Sequence, residues 1–378
     1  MKPFGTILLA LAALLASAAE PAPQPAKGAA PVMEFVPRAV FEKNFALYKE
    51  RAAANAAPRT APAMKIEKSE SFPGYTRYLV SYNTEPEERV EGYLLVPKDL
   101  RPGEKRPLVL TLHGTNLYGK DAPVNDYRAY PAPVKESELA SRRRRAFAEE
   151  LVRRGFVCFA PDRPGYGKRC PVQPATGVPG QNQYIRELAE RHPGWNYTCG
   201  KVIHDLQQAL DFLVELDFVD AAHIGAIGHS LGGHDSLYLA AFEPRIAAVV
   251  ASCPGWMQFQ PALWQSAEAQ EKFCRTGPVG ANLAVLNLMM QAIVPRPMML
   301  LHAWNDYLIR PNPSIFEGHT TLWSYYVTQL GGDAAFKQKA PLALFFHSWG
   351  HDVPDEARFA AYDFLAARLM PEKPQPGR

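Results

Sequence analysis

The chain has 378 residues, 47% of them hydrophobic and 21% charged, with a formal net charge of +3. That much apolar material excludes a disordered chain and is enough for one large α/β core or two smaller ones. The near-neutral charge excludes a nucleic-acid groove, which needs a strong basic bias.

The first feature in chain order is Lys2 followed by ILLALAALLA and the small residues Ala16-Ser17-Ala18. The apolar run is short for a membrane span and has the build of a secretory signal peptide over residues 1–18. No cysteine lies beside it to carry a lipid. These residues predict an exported protein, secreted or periplasmic, without a membrane anchor. Residues 19–63 read as a Pro/Ala-rich linker holding one short helix over 35–51, and a catalytic domain is expected over 64–372. No internal repeat is present.

Strand-like runs follow at 76–82, 90–97, 107–114 and 155–162, then at 223–230, 246–254, 298–306 and 342–347. The first two alternate apolar and polar residues, as an exposed hairpin does; the later ones are continuously apolar and suit strands covered on both faces. Helical patterns lie between them at 141–154, 200–216, 231–242, 320–330 and 355–369. The alternation predicts an eight-stranded, mostly parallel sheet with helices on both faces. Arg142–Arg145 reads as the solvated face of the 141–154 helix.

Five cysteines remain to be placed. Cys158, inside GFVCFAPD, reads as a buried thiol. Cys170 and Cys199 flank a long loop that a disulfide could bridge, and an odd total leaves at least one thiol outside any internal pairing. No C-x-x-C pair suggests a zinc ribbon.

In a sheet of this kind the active site lies at the carboxyl ends of the strands. That rule selects His113, Asp162, Ser230, Asp306, His347 and His351. Gly228-His229-Ser230-Leu231-Gly232-Gly233 follows a strand and opens a helix, which is the setting of a nucleophile elbow. Serine needs a base. His351, in the loop after the last strand, is preferred to His347, which ends that strand and is assigned to the pocket lining or to packing. Two histidines without a third ligand argue against a metal, and no cofactor is expected. A carboxylate must orient the base. Asp306 follows a strand, whereas Asp333 reads as a turn residue and Asp352 adjoins the histidine. The backbone N–H groups of Leu231 and Thr115, with Asn116 as the alternative to Thr115, are the expected oxyanion donors.

With LHG at 112–114, APDRPGYGKR at 160–169, IGAIGHSLGG at 224–233, ND at 305–306 and GHDVPDEAR at 350–358, the chain resembles the α/β-hydrolase superfamily. Within it, the similarity is to the dienelactone hydrolase and acetyl xylan esterase-like branch, over about residues 76–370. The resemblance implies a Ser-His-Asp esterase. Dienelactone hydrolases often use cysteine as nucleophile, and Ser230 in its place argues for a general carboxylesterase. The partner expected is a small-molecule or oligosaccharide ester, with His229, Tyr118, Trp256 and His347 as candidate substrate contacts. The segment 255–297, with Trp256, Met257, Phe259, Trp264, Met289 and Met290, is expected to cover the pocket, and Tyr118, Tyr127 and Tyr130 to form another wall. The alternatives are a serine exopeptidase of prolyl-oligopeptidase type and an inactive hydrolase-like binding protein.

Overall fold

The structure, a computed structural model, describes residues 33–54, 58–130, 135–172, 178–255, 259–280, 283–309 and 314–370. The signal peptide over 1–18, the Pro/Ala stretch at 20–31, and Trp256 and Met257 lie outside these residues. Helix α1 (Arg38–Ala53) precedes β1 (Lys65–Phe72), β2 (Tyr75–Glu85), β3 (Glu88–Pro97) and β4 (Arg106–Leu112). Then come α2 (Glu136–Arg143), α3 (Phe147–Val152), β5 (Val157–Pro161), α4 (Val178–Arg191), α5 (Ile203–Leu213), β6 (Val219–His229) and α6 (Leu231–Phe242). Strand β7 (Ile246–Ser252) leads to α7 (Pro261–Gln265), α8 (Ala267–Thr276) and α9 (Leu283–Ile293). The chain ends with β8 (Met298–Ala303), α10 (Ser314–Leu330), α11 (Asp333–Lys339), β9 (Leu342–His347) and α12 (Asp355–Leu369).

All strands join one sheet in the order β1-β2-β3-β5-β4-β6-β7-β8-β9. From β1 to β5 neighbours run antiparallel, and from β5 through β4 to β9 they run parallel. The apolar runs of the central strands split residue by residue between two cores. In β7, Val249 and Ala251 face the α5–α6 side, while Ala248 and Val250 face the α3–α12 side. Burial on both faces is why these runs carry no polar alternation.

Several expectations need correction. The sheet has nine strands, and the extra one, KIEKSESF (β1), is largely exposed. An edge strand covered in Lys and Glu resists pairing with other chains, and the same charges make it read as a loop. The fold also begins before residue 64. Phe41, Phe45, Tyr48 and Ala52 of α1 are buried in the larger core, and one compact unit runs from Phe35. The single helix expected at 141–154 is two, α2 and α3. Its arginines have partners elsewhere: Arg142 lies 4.6 Å from the Tyr127 ring centroid, and Arg144 pairs with Asp352. The loop between Cys170 and Cys199 contains α4, and no disulfide forms among the five cysteines. The Cys170 sulfur instead donates to the Val172 carbonyl, and Cys199 lies 3.8 Å from the Tyr48 hydroxyl. Trp264, Met289 and Met290 point into the core, so these side chains of the 255–297 segment are packing residues and do not line a pocket.

Candidate active site

Strand β6 ends at His229, and the chain turns into α6 through Ser230, which sits at φ 57 and ψ −120. A side chain at positive φ is strained and is held there only by its surroundings. Here the Ser230 N–H donates to the Ser252 carbonyl at 2.7 Å, and its own carbonyl accepts from His234 N–H at 2.9 Å. The flanking glycines are required by contact: a Cβ on Gly228 would strike the Gly232 backbone, and one on Gly232 the Leu112 carbonyl.

Asp306 lies just beyond β8 and is 2% exposed. Its Oδ1 accepts from the N–H groups of Leu308 (2.9 Å) and Ile309 (3.0 Å), and its Oδ2 is 2.7 Å from His351 Nδ1. The carboxylate is thus paired with His351. His347 ends β9, where its Nδ1 accepts from Trp349 N–H at 3.3 Å and burial lowers its pKa. The imidazole of His351 lies 4.7 Å, centroid to centroid, from that of His229, the residue before Ser230. Ser252 Oγ is 3.0 Å from His229 Nδ1, and burial holds the His229 ring neutral, well below its ordinary pKa.

Two further residues here were given no role in the sequence, although Asn305 belongs to the ND pair at 305–306. Asn305 ties the acid and histidine loops together: its Nδ2 donates to Ser348 O (3.0 Å) and its Oδ1 accepts from Gly350 N–H (2.8 Å). Cys253 is buried at φ 44 beside Asp306, and burial pushes its thiol up to about 12. Donor atoms of Cys253, Asp306 and His351 lie within 4.8 Å of one another, the one such group among the described residues. A metal there would have to displace the proton shared by Asp306 and His351.

The turn after β4 is shaped by side chains. The Arg163 N–H donates to His113 Nε2 at 3.1 Å, so the proton of this ring resides on Nδ1, which donates to Gly114 O at 2.9 Å. Asn116 donates to the same carbonyl and accepts from Tyr118 and Gly119 N–H, which uses its side chain in the turn and leaves Thr115 exposed. Gly114 must be glycine, because a Cβ would meet the His229 carbonyl oxygen at 2.8 Å. Leu231 opens α6, where helix geometry leaves the first N–H groups without partners. Asp162 is a scaffold residue, accepting from Lys120 N–H and Lys168 N–H and pairing with Lys120 Nζ at 3.1 Å.

Beneath the turn, Arg163 and Asp235 form a buried pair, Nε to Oδ2 2.5 Å, and Arg163 also donates to the Tyr197 hydroxyl. Burial would raise the Asp235 pKa, but the Arg163 guanidinium brings it down to about 2. Tyr118 packs with Tyr127 and Tyr130 around Arg142 and does not stand free. The large exposed side chains within two residues of Asp306 and His351 are Trp304, Tyr307, Leu308 and Trp349. They flank Asp306 and His351 in sequence, and that adjacency was the available signal.

An elbow serine after a central strand, followed in the chain by an acid loop and then a histidine loop, defines the α/β-hydrolase class. The chain belongs to the Alpha/beta hydrolase family, whose profile matches residues 109–375. Solved structures of similar fold include a glucuronoyl esterase from Solibacter usitatus, with TM-score 0.59 and 16% identity over 87% of this chain and 91% of that one. Acetyl xylan esterase 1 from Thermoanaerobacterium sp. gives 0.53 and 17% over 88% and 99%. A glucuronoyl esterase from Teredinibacter turnerae gives 0.57 and 16% over 88% and 86%. At these identities the likeness is one of fold. No curated protein sequence matches the chain.

Proposed function

We propose that this protein is an exported serine carboxylic-ester hydrolase that works through an acyl-enzyme on acyl esters of carbohydrates or on aryl and alkyl esters. The observation that carries the reading is the Asp306–His351 pair at 2.7 Å, seated against the residue that precedes a strained Ser230. Ser230 Oγ attacks the ester carbonyl while His351 takes its proton; Asp306 keeps the ring in the Nδ1–H tautomer and stabilises the imidazolium. The oxyanion is received by the N–H of Leu231, at the positive end of α6, and by that of Thr115. His351 then protonates the departing alkoxide and activates the water that releases the acid.

Three things support a carbohydrate ester. The similar structures are named for glucuronoyl and acetyl xylan esters. Aromatic side chains stand exposed next to the triad positions, where sugar rings stack well. The signal-peptide-like start directs the enzyme to esters outside the cytoplasm.

The test is Ser230→Ala, assayed on p-nitrophenyl esters and on acetylated xylan and glucuronate esters. Turnover should fall by about 10⁶-fold, and labelling by a fluorophosphonate probe should vanish, with the fold intact by circular dichroism. A variant keeping a tenth of the activity overturns the assignment.

A further inference from the structure

Arg145 occupies an unusual place for a cation. Two other arginines of the run are matched with carboxylates: Arg142 donates to Glu138 at 2.8 Å, and Arg144 pairs with Asp352. The Arg145 guanidinium is partly buried, its Nε is shielded from solvent, and it has neither ion pair nor hydrogen bond among the described residues. Withdrawing a cation from water without a counter-charge is costly. Carboxylates answer Arg142 and Arg144, but none answers Arg145 among the described residues.

The guanidinium lines a cleft of about 110 Å³ together with Asn116, Tyr118, Tyr127, Ser141 and Arg142. Glu138 is the one acid in that lining, and Arg142 already answers it. Two cations against one carboxylate leave the cleft with a net charge of +1. The cleft adjoins the reacting centre. Asn116 is shared between its wall and the Gly114 turn, and a Cβ built on Gly114 would lie 3.5 Å from the Ser230 Cβ. Arg145 is also close enough to His229 for its charge to add to burial in holding that ring neutral.

We propose that Arg145 is a specificity determinant that receives a carboxylate carried by the ester, so that the enzyme prefers esters of acidic molecules. The inference rests on the serine-esterase reading above and narrows its substrate class. An arginine presents a planar fork that binds a carboxylate through two parallel N–H···O bonds, stronger than neutral hydrogen bonds. Such a contact both positions the carbonyl and rejects neutral analogues, because their binding leaves the cation unanswered.

Matched pairs of esters test it. Mono-(4-nitrophenyl) succinate against 4-nitrophenyl butanoate places the carboxylate on the acyl side; 4-acetoxybenzoate against its methyl ester places it on the alcohol side. At low salt the wild type should favour the anionic member of at least one pair by tenfold or more in kcat/KM. Arg145→Ala and Arg145→Gln should lower that anionic-to-neutral ratio by about 10–100-fold, the range expected for a charge-assisted bond, mainly through KM. Arg145→Lys should restore part of it. A ratio unchanged by Arg145→Ala, or no anionic preference in either pair, overturns the proposal. If none of the four esters is hydrolysed, the esterase reading fails. Calorimetric titration with 4-hydroxybenzoate then decides the anion site separately: binding weakened at least tenfold in Arg145→Ala supports it, and equal binding overturns it.

Discussion

Replacing His319 with leucine will blunt the acid sensitivity of the fold. His319 lies on α10, 4% exposed, with ring centroids 5.0 Å from His302 and 5.6 Å from Phe346, and its Nδ1 has no partner. Burial alone pushes its pKa down to about 4, from an ordinary value of about 6.5. The unfolded chain therefore binds this proton more readily than the native one. The stabilising contribution is complete above about pH 6.5 and disappears as pH falls toward about 4. With about 1.4 kcal/mol for each pKa unit, its full size is about 3 kcal/mol, of which about 2 kcal/mol is already lost at pH 5. Leucine keeps the site apolar and gives up no hydrogen bond at Nδ1. Urea unfolding of wild type and His319→Leu at pH 7 and pH 5 gives the answer. The loss of stability between the two pH values should be smaller in the variant by about 2 kcal/mol. His302, also held neutral by burial, still titrates in both proteins. Equal losses in the two proteins would refute a neutral, buried His319.

Asp306→Asn should lower kcat by about 10⁴-fold without unfolding the protein, because the amide favours the wrong tautomer of His351; stopped assays on a p-nitrophenyl ester measure it, and a loss below tenfold would make another carboxylate the partner. Arg163→Met leaves Asp235 buried and unpaired and should cost about 3–5 kcal/mol in urea unfolding, much of it recovered when Asp235→Leu is added. Failure of the double variant to recover would show that the pair's other hydrogen bonds dominate.

What could be read from the sequence was local. The elbow at 228–233 is one strand, one turn and one helix, and its glycines are dictated by contacts within a few residues or with the adjoining strand. Asp306 and His351, both picked from strand ends, meet at 2.7 Å because strand ends converge in a parallel sheet. Arg163 and Asp235 are 72 residues apart and make their pair only after folding, so no spacing rule reaches them. The same holds for Cys253 beside Asp306. Strand β1 was hidden by the charges that protect an edge. A short helix over 35–51 was legible, but the Ala/Pro residues around it suggested a linker and hid the burial of Phe41, Phe45, Tyr48 and Ala52. Arg142 shows the limit of composition: in a run of four arginines, the one that stacks on tyrosines looks no different from its neighbours.

Helix α1 and Val36 just before it reach far along the chain for their partners. Val36 N–H donates to Trp264 O, Arg38 to the carbonyls of Gln291 and Val294, Asn44 to Gln270, and Arg51 to the carbonyls of Cys274 and Gly277. These bonds staple α7, α8 and the end of α9 to the body of the protein. In lipases that open on contact with an oil droplet, a helical flap swings away from the catalytic serine, and the rate jumps when the substrate forms an interface. Here α7 and α8 could not swing without tearing Trp264 from the core and breaking the bonds that α1 makes. The two helices are thereby fixed as part of the wall of the fold and are not hinged as a flap.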